Sequence, residues 1–314
     1  MIPGIDPKVD IAFKKIFGSE ESRHLTVSLI DAVLDPPPWQ RLVDLELLNP
    51  YSQQVKIDDK LSILDIKARD DRGRFFNLEM QMVARNTLPE RFLYYWARLY
   101  SQQLVRGDGY HQLCPTISIC FVNGRLFPEG DSYHRLFRLR ESSDEQALTG
   151  HLQIHVLEIP NFRKSITDLK KPLDFWLYFL KNADGLDADA LPASLNTREM
   201  RQAMEVLKVY SQDEMEREIY EGRLKAERDA LTQELQIRET KAQLTEAEQQ
   251  LAETEQQLAE AEQRAAKAVL AGQIQLCERL LGRDVTDWNE LMAKDEQVLQ
   301  TMATELEHLL ARSR

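Results

Sequence analysis

Cysteine is scarce: Cys114, Cys120 and Cys277 are the three in 314 residues, odd in number and without ligand spacing. A disulfide framework is excluded, and a reducing compartment is expected. Positive charge is also short, with 40 Lys+Arg against 52 Asp+Glu and a formal net charge of −12. A protein that coats nucleic acid through a broadly basic surface is excluded, while a local basic groove is not. Long apolar runs are absent too. The longest uncharged stretch, Gly109 to Gly124, carries His, Gln, Thr, Ser and Asn and is too short and polar to span a bilayer. The first six residues, Met1 to Asp6, lack a basic region followed by an apolar run, so no secretory leader is expected and the location read from the sequence is cytoplasmic.

What is present supports a real core, since 43% of residues are hydrophobic and 29% charged. The acidity is uneven. Residues 1–200 hold 25 Lys+Arg and 28 Asp+Glu, whereas residues 201–314 hold 15 and 24. The length suits one domain of roughly 200 residues with an appendage. The division read here is a globular domain over 1–210, a long helix with heptads over 211–270 and a small helical segment over 271–314.

Apolar spacing predicts two short helices around Ile11–Phe17 and His24–Leu34, ended by Pro36-Pro37-Pro38. Val43–Leu48 is a candidate short strand, and Leu61–Ala68 and Phe75–Met82 read as strands around Asp70-Asp71-Arg72-Gly73, which is hairpin chemistry. Pro89–Val105 predicts an aromatic-rich helix, and Thr116–Val122 a fully buried strand. Tyr133–Leu139 and Leu152–Ile159 alternate like strands, Leu173–Leu180 is an apolar helix, and nearly everything beyond Pro192 reads as helical.

The hairpin carries the chemistry. A three-residue loop, Asp71-Arg72-Gly73, sets Asp70 opposite Arg74 and, by the same register, Asp65 opposite Glu79. Their Cβ atoms would lie ~5 Å apart. Gln81 shares the face of Glu79, and Ile63 that of Asp65. Opposed like charges destabilise a sheet, and a divalent cation between the carboxylates is the simplest reason to keep them. Mg²⁺, or another hard divalent cation, binds through one or two carboxylates and keeps waters for reaction. The Met80 carbonyl is a possible third oxygen ligand, and Gln81 can orient water or contact phosphate. The competing reading is that Glu79 and Gln81 line a solvated sheet face.

Several segments in order resemble one family: Asp10-Ile11-Ala12-Phe13-Lys14-Lys15-Ile16-Phe17-Gly18, Leu64-Asp65-Ile66-Lys67-Ala68, Asn77-Leu78-Glu79-Met80-Gln81, Arg91 to Tyr100, and Pro115 to Ile119. Over roughly residues 5–210 the chain resembles the recombination-promoting nucleases, a transposase-like family of the PD-(D/E)XK nuclease superfamily. The resemblance implies a restriction-endonuclease-like α/β fold, a mixed central sheet flanked by helices, and a metal-dependent DNA endonuclease tied to recombination or mobile elements. It implies Asp65 and Glu79 as metal ligands and Gln81 where the superfamily usually has Lys. Lys67, on the face of Asp65 by parity, or Lys14, one turn after Asp10, can supply the missing positive charge. The resemblance hints at Asp10 as an extra carboxylate, and the alternative is a helix-start residue facing the macrodipole. Leu64 stands where the superfamily's literal Pro precedes the Asp.

Arg91, Tyr95 and Arg98 recur at i, i+4 and i+7, one helical face, and are candidates for tracking DNA phosphates. The alternative is a helix that packs its aromatics and leaves its arginines solvated. His151 and His155 are four apart in a strand-like stretch, too far for a zinc pair. A catalytically weak oligomeric scaffold or DNA-binding protein with the same fold is the rival function. A strand-transferring enzyme on a ribonuclease-H-like core would need three carboxylates set far apart in sequence, unlike this hairpin.

Residues 244–264 repeat every seven, as LTEAEQQ, LAETEQQ and LAEAEQR. Leu244, Leu251 and Leu258 take position a, and Ala247, Thr254 and Ala261 position d, a narrow coiled-coil seam. A weak homodimer through this tail, strengthened by salt, is expected, and an antiparallel hairpin folding back within one chain is its rival.

Overall fold

The computed structural model describes residues 1–48 and 66–312. Contacts divide the chain into two compact units, Met1–Leu231 and Thr232–Arg314.

The first unit is built on a six-stranded mixed sheet. Its strands are β1 (Leu45–Leu47), β2 (Ile66–Asp70), β3 (Phe75–Gln81), β4 (Thr116–Val122), β5 (His134–Arg138) and β6 (Leu152–Glu158), in the spatial order β1-β2-β3-β4-β6-β5. β3, β4 and β6 run parallel at the centre, and β1–β2, β2–β3 and β5–β6 pair antiparallel. The β-branched run of β4 is buried at every residue, as a strand covered on both faces must be.

Alternation along the strands assigns each face its helices. Phe76, Leu78, Met80, Ile117, Ile119, Phe121 and Leu157 point to one face. There they share a core with α1 (Asp10–Phe17), α2 (Arg23–Leu34), α4 (Pro172–Asn182) and α5 (Arg198–Gln212). Phe13 packs on Phe121 and Phe17 edge-on against Trp176, aromatic contacts that tie α1 to both sheet and α4. The other face carries Cys120, Val122, Ile154 and Val156, covered by Leu88 and Phe92 of α3 (Leu88–Ser101), the crossover helix between β3 and β4. Both layers and the mixed sheet agree with the architecture expected.

The hairpin before β3 has the expected loop. Ile66 pairs Leu78, Lys67 pairs Asn77 and Ala68 pairs Phe76, the predicted register. Asp70 N–H donates to the Arg74 carbonyl at 3.0 Å, and Gly73 N–H to the Asp70 carbonyl at 3.1 Å. Gly73 has φ of 79°, the left-handed conformation that a side chain resists. The Asp70 carboxylate is buried and accepts from the backbone N–H groups of Arg72 (3.0 Å) and Arg74 (2.7 Å), and from Arg74 Nε at 2.6 Å. The loop is therefore held by Asp70 and shaped by Gly73.

Helix α6 (Glu214–Leu280) begins in the first unit, where Lys15 Nζ meets Glu216 at 2.7 Å and the buried Tyr220 hydroxyl accepts from Asp6 N–H at 2.8 Å. In the second unit, its C-terminal turns form a small core with α7 (Trp288–Met292) and α8 (Glu296–Arg312). Leu270, Ile274, Leu291, Leu299 and Leu306 fill it. α6 stops at Gly282, whose φ is 67°, and Arg283 N–H returns to the Glu278 carbonyl at 3.0 Å, closing the C-terminus.

A Cβ on Gly73 would also sit 3.1 Å from Cys114 Sγ. Gly73→Ala is expected to cost about 1–2 kcal/mol, mostly from the left-handed backbone. Thermal melts of Gly73→Ala in native and Cys114→Ala backgrounds test this. The same loss in both assigns it to φ, and no loss in either refutes the hairpin geometry.

Candidate functional site

β3 alternates apolar and polar residues, and its polar face is the informative one. Asn77, Glu79 and Gln81 point to the α3 side of the sheet, while Met80 turns its side chain into the opposite core. Glu79 is 1% exposed. A carboxylate so far from water is costly unless its lone pairs are used. Two amides use them: Asn77 Nδ2 donates to Oε1 at 3.0 Å and Gln81 Nε2 to Oε2 at 3.3 Å. The residues flanking Glu79 on its own strand thus hold one oxygen each.

Among the described residues, two buried oxygens on this face have no hydrogen-bond partner, Asn77 Oδ1 and Ser118 Oγ. Asn77 and Ser118 are register partners on adjacent parallel strands and share a face. Neither was among the residues singled out from the sequence. Asn77 was legible, two positions from Glu79 at strand period, and Ser118 was legible as the hydroxyl in the middle of TISICFV. Buried polar groups are normally satisfied, so two unpartnered oxygens on one face are unusual.

The other sequence candidates fall as follows. Asp65 and Ile63 lie outside the described residues. Lys67 is half-buried, pairs Asn77 across the hairpin and lies on the face of Glu79, as its parity required. Asp10 is buried at the start of α1, and its carboxylate accepts from Ile11 N–H at 2.6 Å. Its charged neighbours include Arg223 and Lys14, and its own N–H donates to Glu227 of α6. α1 packs on the core side of the sheet, and Asp10 at its start also meets Glu227 of α6.

α3 covers the Glu79 face. Trp96 Nε1 donates to the Thr116 carbonyl at 2.8 Å and Tyr100 Oη meets His151 Nδ1 at 3.0 Å, which ties one flank of the helix to the starts of β4 and β6. Arg91, Tyr95 and Arg98 occupy the other flank of the helix. The Arg91 guanidinium lies 5.6 Å from the Tyr95 ring centroid, a cation–π contact, and Arg98 is exposed. Tyr94 is exposed as well, so the aromatics of α3 are not all core.

The histidines partner differently from the pair weighed in the sequence. His155 Nδ1 lies 2.9 Å from His134 Nε2 with the rings stacked. Burial, then the neighbouring His134 and Arg138, lowers His155 to about 3, and burial lowers His134. Both are neutral near pH 7. Among the described residues no three His, Cys, Asp or Glu side chains gather as a metal cluster. The donors that β3 carries are hard oxygens: the Glu79 carboxylate and the Asn77 amide oxygen on one face, and the backbone carbonyl of Met80 between Glu79 and Gln81. This chemistry fits Mg²⁺ or a similar cation better than zinc.

The model of one family, described as PD-(D/E)XK nuclease family transposase, matches residues 7–237. That is well over half of the chain, and the chain belongs to this family, with its nuclease fold. Comparison with curated proteins and with solved structures returned no match. No helix among the described residues is long and apolar enough to cross a membrane.

The Asp10–Glu227 pairing has a pH signature. Burial, then the charge of Asp10, raises Glu227 from 4.5 to about 7, and burial raises Asp10. The folded chain therefore holds more protons than the unfolded one between those values, and stability falls as pH rises from 4.5 to 7. Glu227→Gln is expected to raise the melting temperature at pH 8 by roughly 2–4 °C and to leave it nearly unchanged at pH 5. An equal shift at both pH values, measured by calorimetry, contradicts the buried-acid assignment.

Proposed function

We propose that this family member is a divalent-metal-dependent DNA endonuclease, with Asp65 and Glu79 as the carboxylates of its site. The observation that carries the reading is the buried Glu79, gripped on both oxygens by Asn77 and Gln81 on a central strand of the PD-(D/E)XK sheet. Such a carboxylate is pre-aimed rather than merely solvated. The pairing of Ile66–Arg69 with β3 supports the register from which Asp65 is matched to Glu79.

In this reading Asp65, Glu79 and the Met80 carbonyl would hold the cation. A bound Mg²⁺ supplies a water of lowered pKa and screens the charge gathering on the phosphodiester. The chain's own groups do the rest. Gln81 and Asn77 fix the orientation of the Glu79 carboxylate. Lys67, on the same face, supplies positive charge near the scissile phosphate, the part that Lys plays at position 81 elsewhere in the superfamily. The attacking water forms a new P–O bond as the bond to the leaving sugar oxygen breaks. Asp10 is assigned to fixing the start of α1 against α6. Arg91, Tyr95 and Arg98 hold the DNA backbone along the flank of α3, where positive charge and an aromatic face meet.

The rival is a catalytically weak, DNA-binding scaffold. Its support is Gln81 itself, whose amide is spent on Glu79 where a lysine would offer a cation. Nicking of supercoiled plasmid in Mg²⁺ separates the two. Asp65→Ala and Glu79→Ala are each expected to lower nicking at least about 100-fold while melting cooperatively. Gln81→Ala is expected to slow it less, and Gln81→Lys to retain or increase it. Wild-type protein that binds DNA and never nicks it establishes the scaffold. Unchanged nicking in both carboxylate variants refutes the site.

DNA affinity is expected to fall with rising salt despite the acidic total. Arg91→Ala and Arg98→Ala should each weaken binding and flatten the log–log salt slope by about 1. Salt slopes from fluorescence anisotropy decide it, and slopes unchanged in both variants make the α3 flank structural.

A further inference from the structure

The second unit carries an apolar seam that its own chain leaves bare. Leu244, Leu251 and Leu258 are 58%, 60% and 60% exposed, and Ile237, one heptad earlier in the same frame, is 68% exposed. Over these residues α6 is unbroken, so the segment does not fold back into the antiparallel hairpin considered from its repeat. The apolar positions at d are small. Thr240 and Thr254, also at d, turn their hydroxyls onto the carbonyls of Gln236 (2.9 Å) and Gln250 (2.8 Å), which leaves their methyls to the seam. Every a and d residue from Ile237 to Ala268 is thereby apolar in what it presents.

The columns that flank the seam say what covers it. Position g is Gln at 236, 243, 250 and 257 and Arg at 264, and position e is Lys at 241 and Glu at 248, 255 and 262. In a parallel pair, g of one helix meets e of the next heptad on the other. Gln243 would meet the partner's Glu248, Gln250 the partner's Glu255, and Gln257 the partner's Glu262. Each is an amide donor facing a carboxylate acceptor. An antiparallel pair centred on the repeat would set e against e, with Glu248 on the partner's Glu255 at its middle and Lys241 on the partner's Glu262 at its ends, and g against g. The remaining glutamates, Glu239, Glu246, Glu253 and Glu260, fall at c, away from the seam. We infer that this seam is an interaction surface for a second copy of the same chain, packed parallel and in register over residues 237–268. The inference is independent of the nuclease reading, because it uses none of the residues of that site. The complementarity is polar and the layers are narrow, so association is weak. The excess of glutamate along the segment still repels at long range, so screening favours the dimer.

Sedimentation of the full chain at low and high salt, with Leu251→Glu beside wild type, tests the surface. Leu251 is exposed in the single chain, so the variant folds and melts like wild type. A dimer favoured by salt, with a dissociation constant raised at least about tenfold by Leu251→Glu, is expected. Orientation is read by oxidising Ala247→Cys and Ala261→Cys separately, with the native chain as control for its own three cysteines. Both variants are expected to cross-link to themselves, since an antiparallel pair can bring only one of two such positions together. A chain monomeric at all salt concentrations, a dimer indifferent to Leu251→Glu, or self-cross-linking at one position or neither overturns the inference.

Discussion

A carboxylate with almost no access to water is the constraint on which the site depends. Glu79 sits on β3 between the hairpin partner β2 and the fully buried β4. Ionised and unpaired it would cost several kcal/mol there. Asn77 and Gln81 offset that cost from the same strand, and they can do so because strand alternation puts residues two apart on one face. Holding both oxygens also removes the rotational freedom of the carboxylate. Stability and pre-organisation thus come from the same two hydrogen bonds.

Much of the surrounding structure serves to keep that face intact. The Asp70 carboxylate and the left-handed Gly73 set the hairpin, and a slip of one residue would send Glu79 into the apolar layer of α1 and α2. α3 closes the other side with Leu88 and Phe92 while leaving Arg91 and Arg98 on its flank. The crossover that makes β3 and β4 parallel therefore also lays α3 over the sheet face that carries Glu79.

The sheet was legible because its signals are local. The loop chemistry of Asp71-Arg72-Gly73 specified the register, and the β-branched TISICFV run announced a strand covered on both faces. Glu79, Gln81 and Lys67 lie on one face for the same reason of parity. Less legible were contacts that depend on which helix covers which face. Asp10 stands out from its place in a motif, but its contacts with Arg223 and Glu227 of α6, more than two hundred residues away, have no local signal. His134 went unread because only packing of β5 on β6 brings it to His155. Asn77 and Ser118 were overlooked because an amide and a hydroxyl inside a strand become notable only when burial leaves their oxygens unpartnered.

Metal affinity measured directly, without DNA, tests the central claim most sharply. Titration of the full chain with Mn²⁺ by calorimetry is predicted to show a carboxylate-dependent site that Glu79→Gln weakens at least about tenfold. That substitution keeps the shape of the side chain and an oxygen for one of the two amides, of Asn77 and Gln81, to bond. Glu79→Gln that binds Mn²⁺ as tightly as wild type, with the same stoichiometry, would contradict the account.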